Sequence, residues 1–155
     1  MIELKNKSPN LLVIGDLMID QYFWGKSERI SPEAPVQVIN VNNESMVLGG
    51  AGNVINNLKI LGSNVDVISV IGNDENAITL KDLLIAIDVD IKYLITENNR
   101  ITSKKSRIIA SQQQVVRYDR ESTDEITELS QKLILETFKR IINNYDNVLI
   151  SDYGK

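Results

Sequence analysis

The sequence contains no cysteine and no histidine among its 155 residues. Disulfide bonds, thiol nucleophiles, imidazole general bases and zinc sites built from these residues are therefore excluded. Any chemistry must use carboxylates, Lys, Arg, Tyr, hydroxyls, amides or backbone dipoles. The N-terminus also lacks the long apolar run of a secretory signal or a transmembrane helix. We therefore expect a cytoplasmic protein with no membrane partner.

Acidic side chains outnumber basic ones by 21 to 17, which gives a net charge of -4 and a pI near 4.9. Such a surface is poorly suited to the many phosphates of a nucleic acid, so we expect no nucleic-acid partner. The proportions of 43% hydrophobic and 25% charged residues are those of one globular domain, which we expect to span residues 1–155.

Strand and helix patterns alternate in the first half of the chain. Residues 11–15 are an apolar run typical of a strand buried on both faces of a parallel sheet. A helix is predicted over residues 51–61, a second buried strand over 65–71, and a further helix capped by Asp74. This order predicts an α/β fold with a parallel sheet and right-handed crossovers.

The second half of the chain has a different pattern. Residues 100–120 predict a partly exposed β-ribbon, because short apolar pairs interrupt two polar, basic segments. The sequence Ser-Thr-Asp-Glu at residues 122–125 is a capping box that predicts the start of a long helix. Residues 148–151 are interpreted as a last buried strand. In the first half of the chain, residues 36–41 are interpreted as a half-exposed strand.

Polar residues follow the predicted parallel strands at the edge where ligands of such sheets bind. We expect this edge to bring together Asp16, Asp20, Asp74, Asp152 and the glycine loop of residues 49–52. Because polar turns end every parallel sheet, each of these carboxylates taken singly also fits a purely structural role.

The glycine loop, Gly49-Gly50-Ala51-Gly52, is not a P-loop, because Asn53 follows it in place of Lys-Ser or Lys-Thr. It also lacks the third glycine of a dinucleotide fingerprint and does not follow the first strand. Two interpretations remain. The loop is a tight turn, or it lets a ligand approach the backbone and meet the first N–H groups of the helix and the Asn53 amide.

Among the cations of the predicted ribbon are Lys104, Lys105, Arg107, Arg117 and Arg120. Alternation along a strand places Lys105 and Arg107 on one face, opposite Lys104. Such a cluster either binds a phosphate through charge-assisted hydrogen bonds or forms a solvated surface.

Six segments match motifs of a known family, in the same order. They are residues 15–20 (GDLMID), 29–36 (RISPEAPV), 48–53 (LGGAGN), 100–107 (RITSKKSR), 113–121 (QQVVRYDRE) and 151–155 (SDYGK). In these segments the chain resembles the ribokinase-like (PfkB-type) sugar kinases, and among them the D-glycero-β-D-manno-heptose 7-phosphate kinases. One departure is Ile55, where the family's first signature has a small residue, and we expect slightly altered packing there.

The resemblance implies a three-layer α/β/α parallel-sheet domain with a small β-lid, built from residues 18–47 and 100–119, covering about half of such a kinase. The family's second signature, Gly-Ala-Gly-Asp with its general-base aspartate, does not occur in the 155 residues. The resemblance therefore implies that no catalytic residue lies in this sequence. We expect these residues alone to bind sugar weakly and to lack kinase activity.

The activity implied for the full-length enzyme is transfer of the ATP γ-phosphoryl group to the anomeric hydroxyl of heptose 7-phosphate. This step leads toward the ADP-heptose used in lipopolysaccharide cores. ATP and Mg²⁺ would serve the full-length enzyme, and neither would be tightly bound by these residues. The implied partners are a sugar phosphate and a second copy of the chain, paired through the lid or an exposed sheet edge.

The resemblance assigns binding roles to ten residues, all for the substrate and none for a metal. Those of the sugar pocket are Asp16, Asp20, Gly49, Gly50, Asn53, Asp152 and Lys155, with Asp16 and Asn53 on the sugar hydroxyls. Those of the lid or phosphate-facing region are Lys105, Arg107 and Arg117.

Two other functions remain open from the residues alone. An acidic Mg²⁺-dependent phosphotransfer site would gather Asp16, Asp20 and Asp152 around the metal, with Lys155 as the cation. A non-enzymatic ligand-binding or dimerisation module would use the exposed ribbon as its interface.

Overall fold

The computed structural model describes residues 8–154, and these form eight strands, three α-helices and one short 3-10 helix, Ile142–Asn144. The strands are β1 (Asn10–Gly15), β2 (Leu17–Ile30), β3 (Gln37–Gly50), β4 (Asn64–Gly72), β5 (Leu94–Glu97), β6 (Lys104–Ala110), β7 (Gln113–Arg120) and β8 (Asn147–Ser151). The helices are α1 (Ala51–Ile60), α2 (Glu75–Ala86) and α3 (Glu128–Ile141). Lys155 and the N-terminal residues 1–7, on which the expected absence of a targeting signal rests, lie outside the described residues.

Four parallel strands form the first sheet, in the order β5-β4-β1-β8. Ile55 of α1 and Leu80 of α2 belong to the same buried cluster as Val13 of β1. Ile141 of α3 packs with Leu12 on the opposite face. Successive side chains of a strand point to opposite faces. For this reason the adjacent residues Leu12 and Val13 of β1 belong to different cores. The predicted three-layer α/β/α arrangement is confirmed.

The second sheet has the order β3-β2-β6-β7. Strands β2 and β3 are antiparallel, as are β6 and β7, and a parallel pairing of β2 with β6 joins the two hairpins. The predicted ribbon is confirmed as β6 and β7, and all eight residues of β7 are exposed. Ser111 and Gln112 connect them with φ angles of 51° and 68°. Such angles suit the tight two-residue turns whose twist matches that of the strands.

The capping box predicted at residues 122–125 is wrong. Helix α3 begins at Glu128, and the Thr127 hydroxyl caps it by accepting an N–H from the first turn. The Ser122 hydroxyl instead accepts the N–H of Ile101 at 2.9 Å. This tertiary hydrogen bond engages the side chain that would have capped the longer helix, so α3 starts later.

The prediction of a buried last strand is also wrong, because β8 lies at the edge of the described sheet and pairs only with β1. Ile150 of β8 is accordingly 73% exposed. Periodicity also missed β5 and the full length of β2, and it ended β3 at residue 41 instead of Gly50.

The chain passes between the two sheets four times. Asp16 alone separates β1 from β2, and β3 leads directly from Gly50 into α1. Residues 98–103 connect β5 to β6, and residues 121–127 connect β7 to α3. The second sheet therefore leaves the first at the carboxyl ends of its parallel strands, which is the edge where the sequence predicts the site.

Candidate functional site

Asp16 lies at the carboxyl end of β1, where three segments of the chain meet. Its N–H donates to the Ser151 carbonyl of β8 at 3.0 Å, and its own carbonyl accepts the Ala51 N–H of α1 at 2.9 Å. Its carboxylate accepts the Tyr153 N–H at 2.7 Å. Asp16 is thus held between the loop after β8 and the start of α1.

The glycine turn, residues 49–53, lies directly against Asp16. Gly50 has φ 56° and ψ -131°, a conformation that favours glycine, and a Cβ there would approach the Asp16 carbonyl oxygen to 2.5 Å. Helix α1 begins without a side-chain cap, and the Asp16 carbonyl takes the N–H of its first residue, Ala51. Asn53 lies in that first turn and is exposed. The predicted neighbours Asp16, Gly49, Gly50 and Asn53 therefore lie at one edge of the sheet.

A cleft of about 410 Å³ opens on the α3 side of Asp16. Asp16 and Asp152 line it together with apolar side chains of β1, β4 and α3. The Asp152 carboxylate accepts the Gly154 N–H at 2.7 Å, which closes a tight turn after β8. The glycine turn does not line this cleft, so Asp16 stands between two faces of the site.

Asp20 lies against the glycine turn, as expected of this edge, but it is paired with a cation. It lies in β2, and one of its oxygens is 2.5 Å from an Arg107 guanidinium nitrogen. Its other oxygen occupies the space that a side chain at Gly49 would need. Asp20 therefore connects the glycine turn to β6, and Gly49 leaves room for it.

Arg107 is held by two side chains of β2. Besides the ion pair with Asp20, its guanidinium lies 5.2 Å from the centre of the Tyr22 ring. Partial burial disfavours the charge of Arg107, but the hydrogen bond and the attraction of Asp20 outweigh it and raise the pKa of Arg107. Sequence reasoning missed Tyr22. Its alternation with Asp20 along β2 is the signal that could have found it.

The other two predicted phosphate-facing cations also have carboxylate partners. Lys105 lies 2.9 Å from Asp119 and 3.4 Å from Glu121, and Arg117 lies 3.1 Å from Asp119. The hydrogen bond from Lys105 and the nearby positive charges lower the pKa of Asp119. This face of the second sheet is therefore more balanced in charge than its cations alone suggested.

Asp74 was expected at the ligand-binding edge, but backbone N–H groups engage both of its oxygens. One oxygen accepts the Ala77 N–H at 2.9 Å, which confirms Asp74 as the cap of α2. The other accepts the Thr102 N–H at 3.0 Å.

An acidic metal centre finds no support in the part of the chain that the structure describes. Between residues 8 and 154, no group of three or more acidic side chains is placed to hold a metal ion. Asp20 is engaged by Arg107, and Lys155 lies outside the described residues. Nor is any helix within the same range long and apolar enough to cross a membrane.

Comparisons with known proteins agree with this geometry. The model of the pfkB family carbohydrate kinases matches residues 8–152. A protein named bifunctional protein HldE from Aliarcobacter butzleri is 63% identical over 97% of this chain, which corresponds to 32% of that protein. Its namesake from Sulfurimonas denitrificans is 54% identical over 98% of this chain and 32% of its own length. The chain thus spans about a third of the length of these curated relatives.

A solved structure described as a carbohydrate kinase from Agrobacterium tumefaciens has the same fold. It superimposes with a TM-score of 0.70 at 22% identity, covering 92% of this chain and 45% of the other. The ribokinase-like fold expected from the motifs is confirmed. Since the family model covers nearly all of the described residues, this chain belongs to the pfkB family of carbohydrate kinases.

Proposed function

We propose that these residues form the sugar-binding half of a cytoplasmic, ATP-dependent kinase. Its reaction is phosphorylation of the anomeric hydroxyl of D-glycero-β-D-manno-heptose 7-phosphate, toward ADP-heptose and lipopolysaccharide cores. The observation that carries the proposal is the hydrogen bond from the Ala51 N–H to the Asp16 carbonyl, which holds Asp16 against the start of α1, two residues before Asn53. Family membership supports the reaction class, and the motif resemblance supports the substrate.

The sugar ring would bind between Asp16 and the glycine turn. A carboxylate offers about four lone-pair positions, so Asp16 can accept sugar hydroxyls as well as the Tyr153 N–H. The Asn53 amide can both donate to and accept from a hydroxyl. The backbone of Gly49 and Gly50 would line the pocket, with Asp20 and the Asp16 carbonyl in the space where their side chains would be. Asp152 lies beside the neighbouring cleft.

The sugar phosphate would bind the cations of the second sheet through an exchange of partners. Lys105, Arg107 and Arg117 each contact a carboxylate of the same sheet. A phosphate offers more oxygens and more charge than the carboxylate it replaces, and Arg binds it in a bidentate manner. In this proposal the second sheet is the lid over the sugar.

ATP would supply the γ-phosphoryl group, together with Mg²⁺. The acidic side chains of the described residues do not fit a metal site, so we assign none of them to Mg²⁺. What these residues contribute is binding and orientation of the sugar and exclusion of water. Phosphoryl transfer depends on positioning and charge neutralisation more than on a nucleophilic side chain, which suits a chain without Cys or His.

A second copy of this chain is the proposed protein partner. Strand β7 forms one edge of the second sheet, and its Val115, Val116 and Tyr118 are each about 45% exposed. Exposed strands with apolar side chains favour association with another chain. Ile150 at the β8 edge offers a second such surface.

Replacing Arg107 by alanine tests the phosphate role. We expect the affinity for heptose 7-phosphate to fall by about 10- to 100-fold, because a charge-assisted hydrogen bond contributes about 1.5–3 kcal/mol. Affinity for the unphosphorylated heptose should change less than about twofold. Isothermal titration calorimetry with both sugars measures the difference.

The matched control is Arg120→Ala. It removes the same charge from the same sheet, at a position that pairs with Lys104 and so lies on the opposite face from Arg107. Both sugars should bind this variant as they bind the unchanged chain. Equal losses for the two sugars in Arg107→Ala would contradict the phosphate role.

The 155 residues alone should not turn over ATP in the presence of heptose 7-phosphate. The expected cause is that the Gly-Ala-Gly-Asp signature of the family, which carries the general base, does not occur in the sequence. An enzyme-coupled assay for ADP measures this, with the sugar omitted as background. ADP release that depends on the sugar would contradict the expectation.

A further inference from the structure

The strap, residues 100–103, leads into β6 and is connected through Thr102 to the end of β4 and to the Asp74 cap of α2. The buried Gly72 N–H donates to the Thr102 hydroxyl at 3.0 Å, and the Thr102 N–H donates to an Asp74 oxygen at 3.0 Å. The second Asp74 oxygen accepts the Ala77 N–H at 2.9 Å. One carboxylate therefore joins the start of α2 to the strap, and Thr102 joins the strap to the end of β4.

The strap also touches the two sheets directly. A side chain at Gly72 would overlap the Arg100 carbonyl oxygen, so strap and β4 are in close backbone contact. On its other side, the Ser103 carbonyl accepts the Ile19 N–H of β2 at 2.9 Å. Ile19 is completely buried and lies three residues after Asp16. Hydrogen bonds thus connect Asp74 to Thr102 and Ser103 to Ile19, and the backbone of the strap joins the two bonds. Asp74 is in this way linked to the beginning of β2.

A second set of contacts holds the outer side of the strap. Arg100 forms an ion pair with Glu97 at 3.4 Å, and their side chains are 8% and 11% exposed. The Ile101 N–H donates to the Ser122 hydroxyl at 2.9 Å. Asp74 holds the inner side of the strap together with the Gly72 and Ile19 N–H groups.

We propose that Asp74 is a positioning residue of the sugar site, which acts through the strap and touches no ligand. Through its bond to the Thr102 N–H, Asp74 fixes the positions of β6 and of the first residues of β2 relative to Asp16. It thereby also fixes the positions of the phosphate-facing cations. A carboxylate suits this position because it accepts from two N–H groups of different elements at once, whereas a side-chain amide has a single acceptor oxygen. The effect on sugar binding rests on the proposed function; the effect on the strap does not.

Asp74→Asn separates the cap from the strap contact. Asparagine caps helices as well as aspartate does, so its oxygen can keep the Ala77 N–H while its NH₂ group faces the Thr102 N–H. We expect amide exchange, measured by NMR, to accelerate about tenfold at Thr102, Ile19 and along β6 but not in α1. We expect the Kd for heptose 7-phosphate to rise about fivefold.

The matched control is Asp82→Asn, which makes the same carboxylate-to-amide change at an exposed position of α2 and leaves the strap contacts in place. Neither the amide exchange along β6 nor the Kd for heptose 7-phosphate should change. Thr102→Val and Thr102→Ser form a second pair, useful if Asp74→Asn does not fold. The serine keeps the hydroxyl that accepts the Gly72 N–H, so its exchange and affinity should match those of the unchanged chain. The valine loses this acceptor and should show faster exchange at Gly72 and along β6 and weaker binding.

Faster exchange confined to the first turn of α2 in Asp74→Asn would show that Asp74 is only a cap and would overturn the proposal. An unchanged Kd despite faster exchange along β6 would equally overturn the positioning role. If the unchanged chain does not bind heptose 7-phosphate, the proposed function fails. The exchange pattern of Asp74→Asn then still decides whether Asp74 holds the strap.

Discussion

Asp16→Ala is expected to weaken the binding of heptose 7-phosphate by about 100-fold or more. The carboxylate would accept sugar hydroxyls, and hydrogen bonds to a charged group contribute about 1.5–3 kcal/mol each. The backbone bonds of Asp16 to Ser151 and Ala51 remain in this variant, and the lost side-chain bond goes to the N–H of the exposed Tyr153, so the melting temperature should fall little. Calorimetric titration and thermal unfolding of the same samples measure both quantities.

Two variants control this experiment. Asp16→Asn keeps the size and one acceptor oxygen but loses the charge, and it should lose affinity by about tenfold. Asp82→Ala removes an exposed carboxylate from α2 and should change neither affinity nor stability. Sugar affinity retained by Asp16→Ala would remove the central contact of the proposed site.

Gly15→Ala is expected to lower both stability and affinity. A methyl group at this position would overlap the Ser151 carbonyl oxygen, the same atom that accepts the Asp16 N–H. Because both groups belong to the backbone of paired strands, β8 must move away from β1. Overpacking of this kind costs about 1–3 kcal/mol, and a domain of this size loses about 2–4 °C of melting temperature per kcal/mol. We expect affinity for heptose 7-phosphate to fall about tenfold, because Asp16 and the loop after β8 shift together.

Gly62→Ala is the matched control for Gly15→Ala. Gly62 follows α1 with φ 90°, and a Cβ there would meet no atom within 4 Å. Its replacement therefore introduces backbone strain of about 1 kcal/mol without displacing a neighbour. Affinity should stay unchanged while the melting temperature falls. If Gly15→Ala binds heptose 7-phosphate as tightly as Gly62→Ala does, the contact between β1 and β8 is not part of the site.

The sequence predicted the elements whose determinants are local. The apolar runs of β1 and β4 and the Asp74 cap of α2 depend on residues next to each other in the chain. The start of α3 could not be predicted in this way, because the bond that engages Ser122 comes from Ile101, 21 residues earlier. Strand β5 has only four residues, which is too short for periodicity to distinguish it from a loop.

The same distinction applies to the candidate site: positions that follow from a general rule were predicted, and pairings between distant residues were not. The position of Asp16 beside the glycine turn follows from the rule that parallel strands end at one edge. The rule does not say which carboxylates at that edge are already engaged. Asp20 is paired with Arg107, 87 residues away, and Asp74 with the Thr102 N–H, 28 residues away. Only the folded arrangement of the two sheets shows these pairings.

Asp16 is the single residue between β1 and β2, and its N–H, carbonyl and carboxylate are all hydrogen-bonded to neighbouring segments. Asp16 therefore loses its conformational entropy when the chain folds. Binding a ligand then requires no further ordering of this residue. A side chain held this firmly cannot follow a hydroxyl that points in the opposite direction. Discrimination between sugar epimers would then be a property of the strand junction itself, independent of any loop that adapts to the ligand.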